Sequence, residues 1–123
     1  MKAGEHRVWL LQGALGAGKS TFARAALRSL GVTGAVPSPT FTLVRQYRLR
    51  RGRWQRAIHV DAYRITSATE IRALAIDEAI ADPACLVLIE WPERLPKNLW
   101  PTESATVRIR RHGDGRRVTV RTR

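Results

Sequence analysis

Apolar and polar positions along this chain follow several periods, and the period changes abruptly from one segment to the next. Val8 to Gln12 (Val-Trp-Leu-Leu-Gln) is a short apolar run of the kind that forms a buried strand. From Lys19 the period lengthens. Phe22, Ala26 and Leu30 recur every four residues, Arg24 and Arg28 fall off that stripe, and Gly31 supplies a stop, which together predict a helix. Thr42 to Leu49 and Trp54 to Val60 flank the turn Arg50 to Arg53. Thr106 to Arg111 and Arg117 to Thr122 flank His112 to Arg116 with its Asp114-Gly115 turn, so each pair predicts a β-hairpin. In the second hairpin Val107 and Ile109 alternate with Arg108 and Arg110, and Val118 and Val120 with Arg117, Thr119 and Arg121, giving each strand one apolar and one basic face. Ser67 to Asp82 reads as a helix, with Thr66 or Ser67 as N-cap, Glu70 as capping-box partner and Ile71, Leu74, Ala75, Ile76 and Ile80 as the buried side. Asp77, Glu78 and Asp82 make its solvated face. Leu86 to Glu90 is a second buried strand, ended by Trp91-Pro92, and Glu93 to Trp100 reads as an irregular connection. The elements predict an α/β fold in one domain spanning residues 1–123: a mixed sheet, helices on its faces and antiparallel hairpins at its margin.

Gly13 to Thr21 (Gly-Ala-Leu-Gly-Ala-Gly-Lys-Ser-Thr) lies between the first strand and the first helix and fits G-x-x-x-x-G-K-[ST], with Gly13, Gly18, Lys19 and Ser20 at the fixed positions. This is the Walker A, or P-loop, pattern, and a P-loop nucleotide-hydrolase type of fold follows from the strand and helix that flank it. Glycine at 13, 16 and 18 lets the backbone wrap an anion with its N–H groups inward. The helix N-terminus then faces the phosphate, where its free N–H groups and dipole favour negative charge. In that arrangement Lys19 reaches the β and γ phosphates and the Ser20 hydroxyl is a Mg²⁺ ligand.

Two acids end apolar strands: Asp61 after Ile58-His59-Val60, and Glu90 after Leu86 to Ile89. Carboxylates at the C-terminal ends of parallel strands lie near the phosphates in such folds, where they hold Mg²⁺ directly or through water, or orient the attacking water. Either could instead be an ordinary cap or turn acid. Pro37 to Val44 is an extended Ser/Thr/Pro loop whose Thr40 and Thr42 stand where a switch segment senses the γ phosphate. His59 is given no role, and His6 and His112 read as surface residues. Trp9, Trp54 and Trp100 read as packing residues.

The net charge is +12, and its placement matters more than its size. Arg45 to Arg56 holds six arginines and no acid, and Ser104 to Arg123 holds seven arginines and Asp114, so these segments account for the whole excess. Solubility and edge protection explain such charge as well as an RNA or acidic-protein surface does. The single Cys85 adjoins an apolar run and reads as a small buried hydrophobe, and one cysteine leaves no disulfide partner in the chain. No signal peptide and no apolar stretch long enough to span a bilayer are present, so a cytoplasmic protein is expected.

Four ordered motifs are similar to the TsaE (YjeE) family: Gly13 to Thr21, Ser38-Pro39-Thr40-Phe41-Thr42-Leu43-Val44, His59-Val60-Asp61-Ala62-Tyr63-Arg64 and Ile89-Glu90-Trp91-Pro92-Glu93. The resemblance covers about Val8 to Leu95. It implies a bacterial ATPase that works with TsaB and TsaD in making threonylcarbamoyl-adenosine in tRNA, with any tRNA contact indirect. It further implies ATP held by Gly13, Leu15, Gly16, Ala17, Gly18, Lys19, Ser20 and Thr21, with Thr40 or Thr42 near the γ phosphate and Trp91 beside the nucleotide. Ser20 and Glu90 would hold Mg²⁺, and Asp61 would be catalytic or metal-linked. Ala14 stands where the family usually has aspartate, and Ala75 where it has glycine. Family members usually carry a further strand and helix ahead of the phosphate loop that contribute to the adenine side; here Arg108, Arg110 or Arg111 could approach the ribose instead.

The expected chemistry is attack of water on the γ phosphate, with Lys19 and loop amides stabilising charge and Asp61 or Glu90 positioning the water. No arginine stands out in the sequence as an in-chain finger, so turnover without partners is expected to be slow. Two other classes share features of the chain. A small-molecule kinase would use the same loop but needs an acceptor site. A non-enzymatic RNA-binding module would rest on the basic hairpins.

Overall fold

The computed structural model describes residues 6–14, 16–36, 44–65, 76–96, 100–101 and 103–122. Among them, seven strands form one sheet: β1 (Val8–Gln12), β2 (Val32–Val36), β3 (Val44–Leu49), β4 (Arg56–Asp61), β5 (Cys85–Glu90), β6 (Ala105–His112) and β7 (Gly115–Thr122), in the order β2-β3-β4-β5-β1-β6-β7. The inner strands β4, β5, β1 and β6 are parallel, and β3 with β2 at one margin and β7 at the other are added antiparallel. The expected mixed sheet with marginal hairpins is what forms.

Alternation along the parallel strands divides the core. Trp9, Leu11, Leu86, Leu88, Val107 and Ile109 face helix α1 (Lys19–Ser29), while Val8, Leu10, Ile58, Val60, Val87 and Ile89 lie on the side of helix α2 (Ile76–Ala81). Strands apolar on both sides therefore read as unbroken runs, and every residue of β5 is buried. On α1 the fully buried positions are Lys19, Ala23 and Leu27, with Phe22, Ala26 and Leu30 packed half-buried beside them. The stripe expected at Phe22, Ala26 and Leu30 is thus its flank, because alanine at 23 lets the helix lie close to the sheet.

Strand β2 follows Gly31 directly and was not expected. Its sequence, Val-Thr-Gly-Ala-Val, is short and centred on glycine, and its register against β3 shifts between Val32 and Ala35, so pairing rather than periodicity makes it a strand. Of the helix expected over residues 67–82, only 76–81 and the residue after it are described; Thr66, Ser67, Glu70, Ile71, Leu74 and Ala75 lie outside the described residues. Asp77 and Glu78 are exposed as expected. Asp82 is not simply solvated: it pairs with Arg56 at 2.9 Å and accepts from the Ala84 N–H at 2.9 Å.

The first basic segment has a structural task. The backbone N–H groups of Arg50 and Arg51 donate to the Leu30 carbonyl at 3.2 and 3.0 Å, so the β3–β4 turn satisfies the C-terminal end of α1 and brings positive charge to its negative pole. At the other margin β6 and β7 pair from Ala105↔Thr122 to His112↔Gly115. The turn is Gly113-Asp114, not Asp114-Gly115, because Gly113 with φ 59° takes the positive-φ position that begins such a two-residue turn. Val107 and Ile109 are buried, whereas Val118, on the outermost strand, is 45% exposed.

Candidate functional site

The loop between β1 and α1 is held by contacts that only glycine allows. A Cβ on Gly13 would lie 2.5 Å from the Ile109 carbonyl oxygen, so the chain leaves β1 pressed against β6. Gly18, with φ 109°, turns the chain into the helix, and its carbonyl accepts the first helical bond from Phe22 N–H at 2.9 Å. Lys19 folds back over this turn, donating to the Gly13 carbonyl and, at 3.1 Å, to that of Ala14. Its ammonium also lies 3.7 Å from the centre of the Trp91 ring. Burial lowers the Lys19 pKa below its usual value, opposed first by the charge of Glu90 and then by Glu93 and Asp61. A partly desolvated ammonium beside helical N–H groups is suited to an anion.

Strands β4 and β5 end side by side with Asp61 paired to Glu90, so the two carboxylates share one face of the sheet, the face that α1 covers. Ser20, in the first turn of α1, donates from Oγ to Glu90 Oε1 at 2.9 Å, with Oε2 at 3.0 Å. Glu90 is only 5% exposed. Burial alone would raise its pKa, but the His59 ring, the Ser20 hydroxyl and the Lys19 charge together hold it below the usual carboxylate value. Asp61 accepts from the Tyr63 N–H at 3.1 Å and so caps the 3₁₀ turn Ala62–Arg64, while its side chain also borders the phosphate-loop cavity. The cap contact therefore leaves Asp61 at the cavity wall.

That cavity, of about 460 Å³, is lined by Gly16, Gly18, Lys19, Ser20, Thr21, Asp61, Tyr63, Glu90, Trp91 and Arg116. The fold therefore gathers the loop, both strand-end acids and Trp91 into one place. Trp91 has a left-handed backbone (φ 60°, ψ 51°), uncommon for a large side chain, and its ring contacts that of Tyr63 at 4.9 Å between centres. A second cavity, of about 550 Å³, opens on the other side of the loop between Gln12, Gly13, Ala14, Ala17 and the arginines Arg108, Arg110 and Arg111. Leu15, Thr40 and Thr42 lie outside the described residues.

Mg²⁺ fits the donors on offer. Ser20 and Glu90 bring hard oxygen atoms into contact, with Asp61 on the neighbouring strand, and no group of three His, Cys, Asp or Glu among the described residues could form an all-protein cage. A Mg²⁺ ion held there would take its remaining ligands from phosphate and water, as Mg²⁺ usually does.

Two side chains were missed from sequence. His59, expected to have no role, places Nε2 2.5 Å from Glu90 Oε2, and both side chains are nearly buried. Its position two residues before Asp61, and hence on the same strand face, was the available signal. Arg116, on the C-terminal hairpin, donates from Nε to the Ala17 carbonyl at 2.8 Å. Nothing in local sequence set it apart from the other arginines. Cys85 is buried and burial raises its thiol pKa, in keeping with a packing role. Trp9 and Trp54 are core residues in edge-to-face contact, and Trp100 packs half-buried with its indole N–H on the Pro92 carbonyl at 2.9 Å. No helix among the described residues is long and apolar enough to cross a membrane.

A sequence model of the family described as threonylcarbamoyl adenosine biosynthesis protein TsaE matches residues 1–119. Proteins named tRNA threonylcarbamoyladenosine biosynthesis protein TsaE align at 41% identity over 91 residues in Synechocystis, 35% over 120 in Mycobacterium tuberculosis and 36% over 117 in Treponema pallidum. These alignments cover 72, 91 and 94% of this chain and 55, 70 and 82% of the respective relatives, so the chain spans little more than half of the Synechocystis protein. The crystal structure of Bacillus subtilis YdiB superposes with a TM-score of 0.64 at 29% identity, covering 94% of this chain and 66% of that one. With the family model matched over residues 1–119 and relatives aligned over most of its length, this chain belongs to the TsaE family.

Proposed function

We propose that the chain is the ATP-binding, Mg²⁺-dependent ATP-hydrolysing component of tRNA threonylcarbamoyladenosine modification, acting with TsaB and TsaD. The observation that carries the reading is the convergence of Lys19, Ser20, Asp61 and Glu90 on one cavity at the N-terminus of α1. The backbone amides of Gly16 to Thr21 and the Lys19 ammonium bind the β and γ phosphates, trading the bonds that Lys19 makes to loop carbonyls for stronger ones to phosphate oxygens. Ser20 and Glu90 hold Mg²⁺, which when bound offsets charge on those phosphates. Asp61, fixed by its bond to the Tyr63 N–H, has a second oxygen with which to orient water toward the γ phosphate. Trp91 flanks the phosphates, Thr40 or Thr42 senses the γ phosphate, and the cavity between Gln12 and Arg108 to Arg111 takes the ribose and base. The acids are held, and among the described residues the cavity opens to solvent, so a partner that closes it would raise a low intrinsic rate.

The test is ATP hydrolysis with and without TsaB and TsaD, comparing wild type with Lys19→Ala and Glu90→Ala. Stimulation by the partners, lost in both variants, is expected. Hydrolysis that ignores both partners and both substitutions would end the reading.

A further inference from the structure

The C-terminal hairpin is not merely a basic edge, because its tip folds over the phosphate loop. Arg111 and Arg116 are cross-strand partners immediately before the turn residues and their flanking pair, and they reach opposite sides of that loop. A Cβ placed on Gly16 would lie 3.8 Å from Arg111 Nη2, and one on Gly18 would lie 3.5 Å from Arg116 Nε. Arg111 borders the cavity beside Gly13 and Ala17, and Arg116 borders the one that also holds Lys19, Ser20 and Glu90.

Arg116 is anchored with donors to spare. Its Nε donates to the Ala17 carbonyl at 2.8 Å and its Nη1 to the Gly115 carbonyl at 3.0 Å, which fixes the plane of the guanidinium. Nη2 has no protein acceptor among the described residues. A guanidinium carries five N–H donors and cannot shed its charge at neutral pH. Arg116 lines the same cavity as Gly18, Lys19 and Ser20 at the start of α1, with N–H groups beyond those two bonds available to an anion there.

We infer that Arg116 is a polyphosphate-binding residue of this site, a second in-chain cation that contacts the phosphate chain of the bound nucleotide across from Lys19. The inference rests on the nucleotide reading above and adds a specific contact to it. It assigns the C-terminal hairpin a function at the phosphate loop. Such a contact, a charge-assisted bond to phosphate at a partly covered site, is worth about a tenfold change in affinity.

The experiment is calorimetric titration of the full chain with Mg²⁺-ATP and, separately, with inorganic tripolyphosphate, for wild type, Lys19→Ala, Arg116→Gln and Arg117→Gln, alongside ligand-free melting curves. Arg117 lies on the same hairpin and meets the His112 ring instead of the loop, so its variant controls for the loss of one positive charge. The expected result is a loss of about tenfold for both ligands in Arg116→Gln, a near-wild-type Arg117→Gln, and unchanged ligand-free melting in both. If Arg116→Gln binds like Arg117→Gln while Lys19→Ala loses the ligand, the nucleotide reading stands and the Arg116 assignment falls. A loss in Arg116→Gln accompanied by a marked drop in ligand-free melting temperature would make Arg116 a brace for the Ala17 carbonyl and also overturn the assignment. A wild type that binds neither ligand overturns both readings.

Discussion

Removing the His59 imidazole should expose how much of the site's rigidity comes from one buried contact. His59 Nε2 and Glu90 Oε2 are 2.5 Å apart, with side chains only 13 and 7% exposed. After His59→Ala the carboxylate keeps Ser20 as a hydrogen-bond partner but loses the imidazole while still buried. A hydrogen bond to a charged group contributes about 1.5–3 kcal/mol, and stripping one partner from a fully buried pair costs about 3–5. With Ser20 retained, the lower range applies, so His59→Ala should destabilise by about 2 kcal/mol. For a chain of this size that is a fall of about 8 °C in Tm. Because truncation also removes packing, the pair itself is isolated by a double-mutant cycle of His59→Ala and Glu90→Ala, using urea unfolding followed by tryptophan fluorescence at neutral pH. The double variant should be about 2 kcal/mol more stable than the sum of the single losses predicts. A coupling below about 0.5 kcal/mol, the ordinary scatter of additive sites, would refute the claim that His59 holds Glu90 in place.

The remaining expectations test charge and core separately. Glu90 has a folded pKa below its unfolded value, so the stability it contributes is present above the unfolded carboxylate range and is lost as pH falls through the folded value; wild type should lose that increment on acidification and Glu90→Ala should not, as read by urea midpoints across the acid range. Lys19 shows the opposite balance, because its lowered pKa means that the charged ammonium is held at a cost at neutral pH; Lys19→Met should therefore melt no lower than wild type while losing Mg²⁺-ATP, and a clear drop in Tm would count against that balance. Leu10, fully buried in a central strand, should cost about 2–5 kcal/mol as Leu10→Ala. Val118→Ala, on the half-exposed outer strand, should stay within about 0.5 kcal/mol by the same denaturation assay.

What could be read from sequence was what is local or strictly periodic. The strand Val8–Gln12, the loop, the start of α1, both hairpins and the strand ends at Asp61 and Glu90 all follow from short-range signals: apolar runs, glycines at fixed offsets, and a carboxylate closing a largely apolar run. What could not be read depends on which elements come to lie side by side. Strand β2 exists because β3 is there to pair with it. His59 meets Glu90 only because β4 and β5 are adjacent and in register, with Asp61 opposite Glu90. Arg116 reaches Ala17 across 99 positions of sequence because β6 packs next to β1, which puts the hairpin tip beside the loop that β1 feeds. Likewise Arg7, unremarkable in sequence, ties the end of α2 to β5 by donating to the carbonyls of Ala79, Ile80 and Cys85. The first basic segment shows the limit of counting charge, since the turn at Arg50 and Arg51 caps α1 through its backbone, whatever its side chains do.

The central claim is that the phosphate loop and the acid at the end of β5 form a single Mg²⁺-nucleotide site. It is tested most directly by equilibrium ATP binding with Mg²⁺ and with EDTA, in wild type and in Glu90→Ala. The account predicts that Mg²⁺ tightens ATP binding in wild type and that this gain collapses in Glu90→Ala, where Ser20 alone remains as a metal ligand at the junction of β5 and α1. An equal gain from Mg²⁺ in both proteins, or no ATP binding by wild type under either condition, would contradict it.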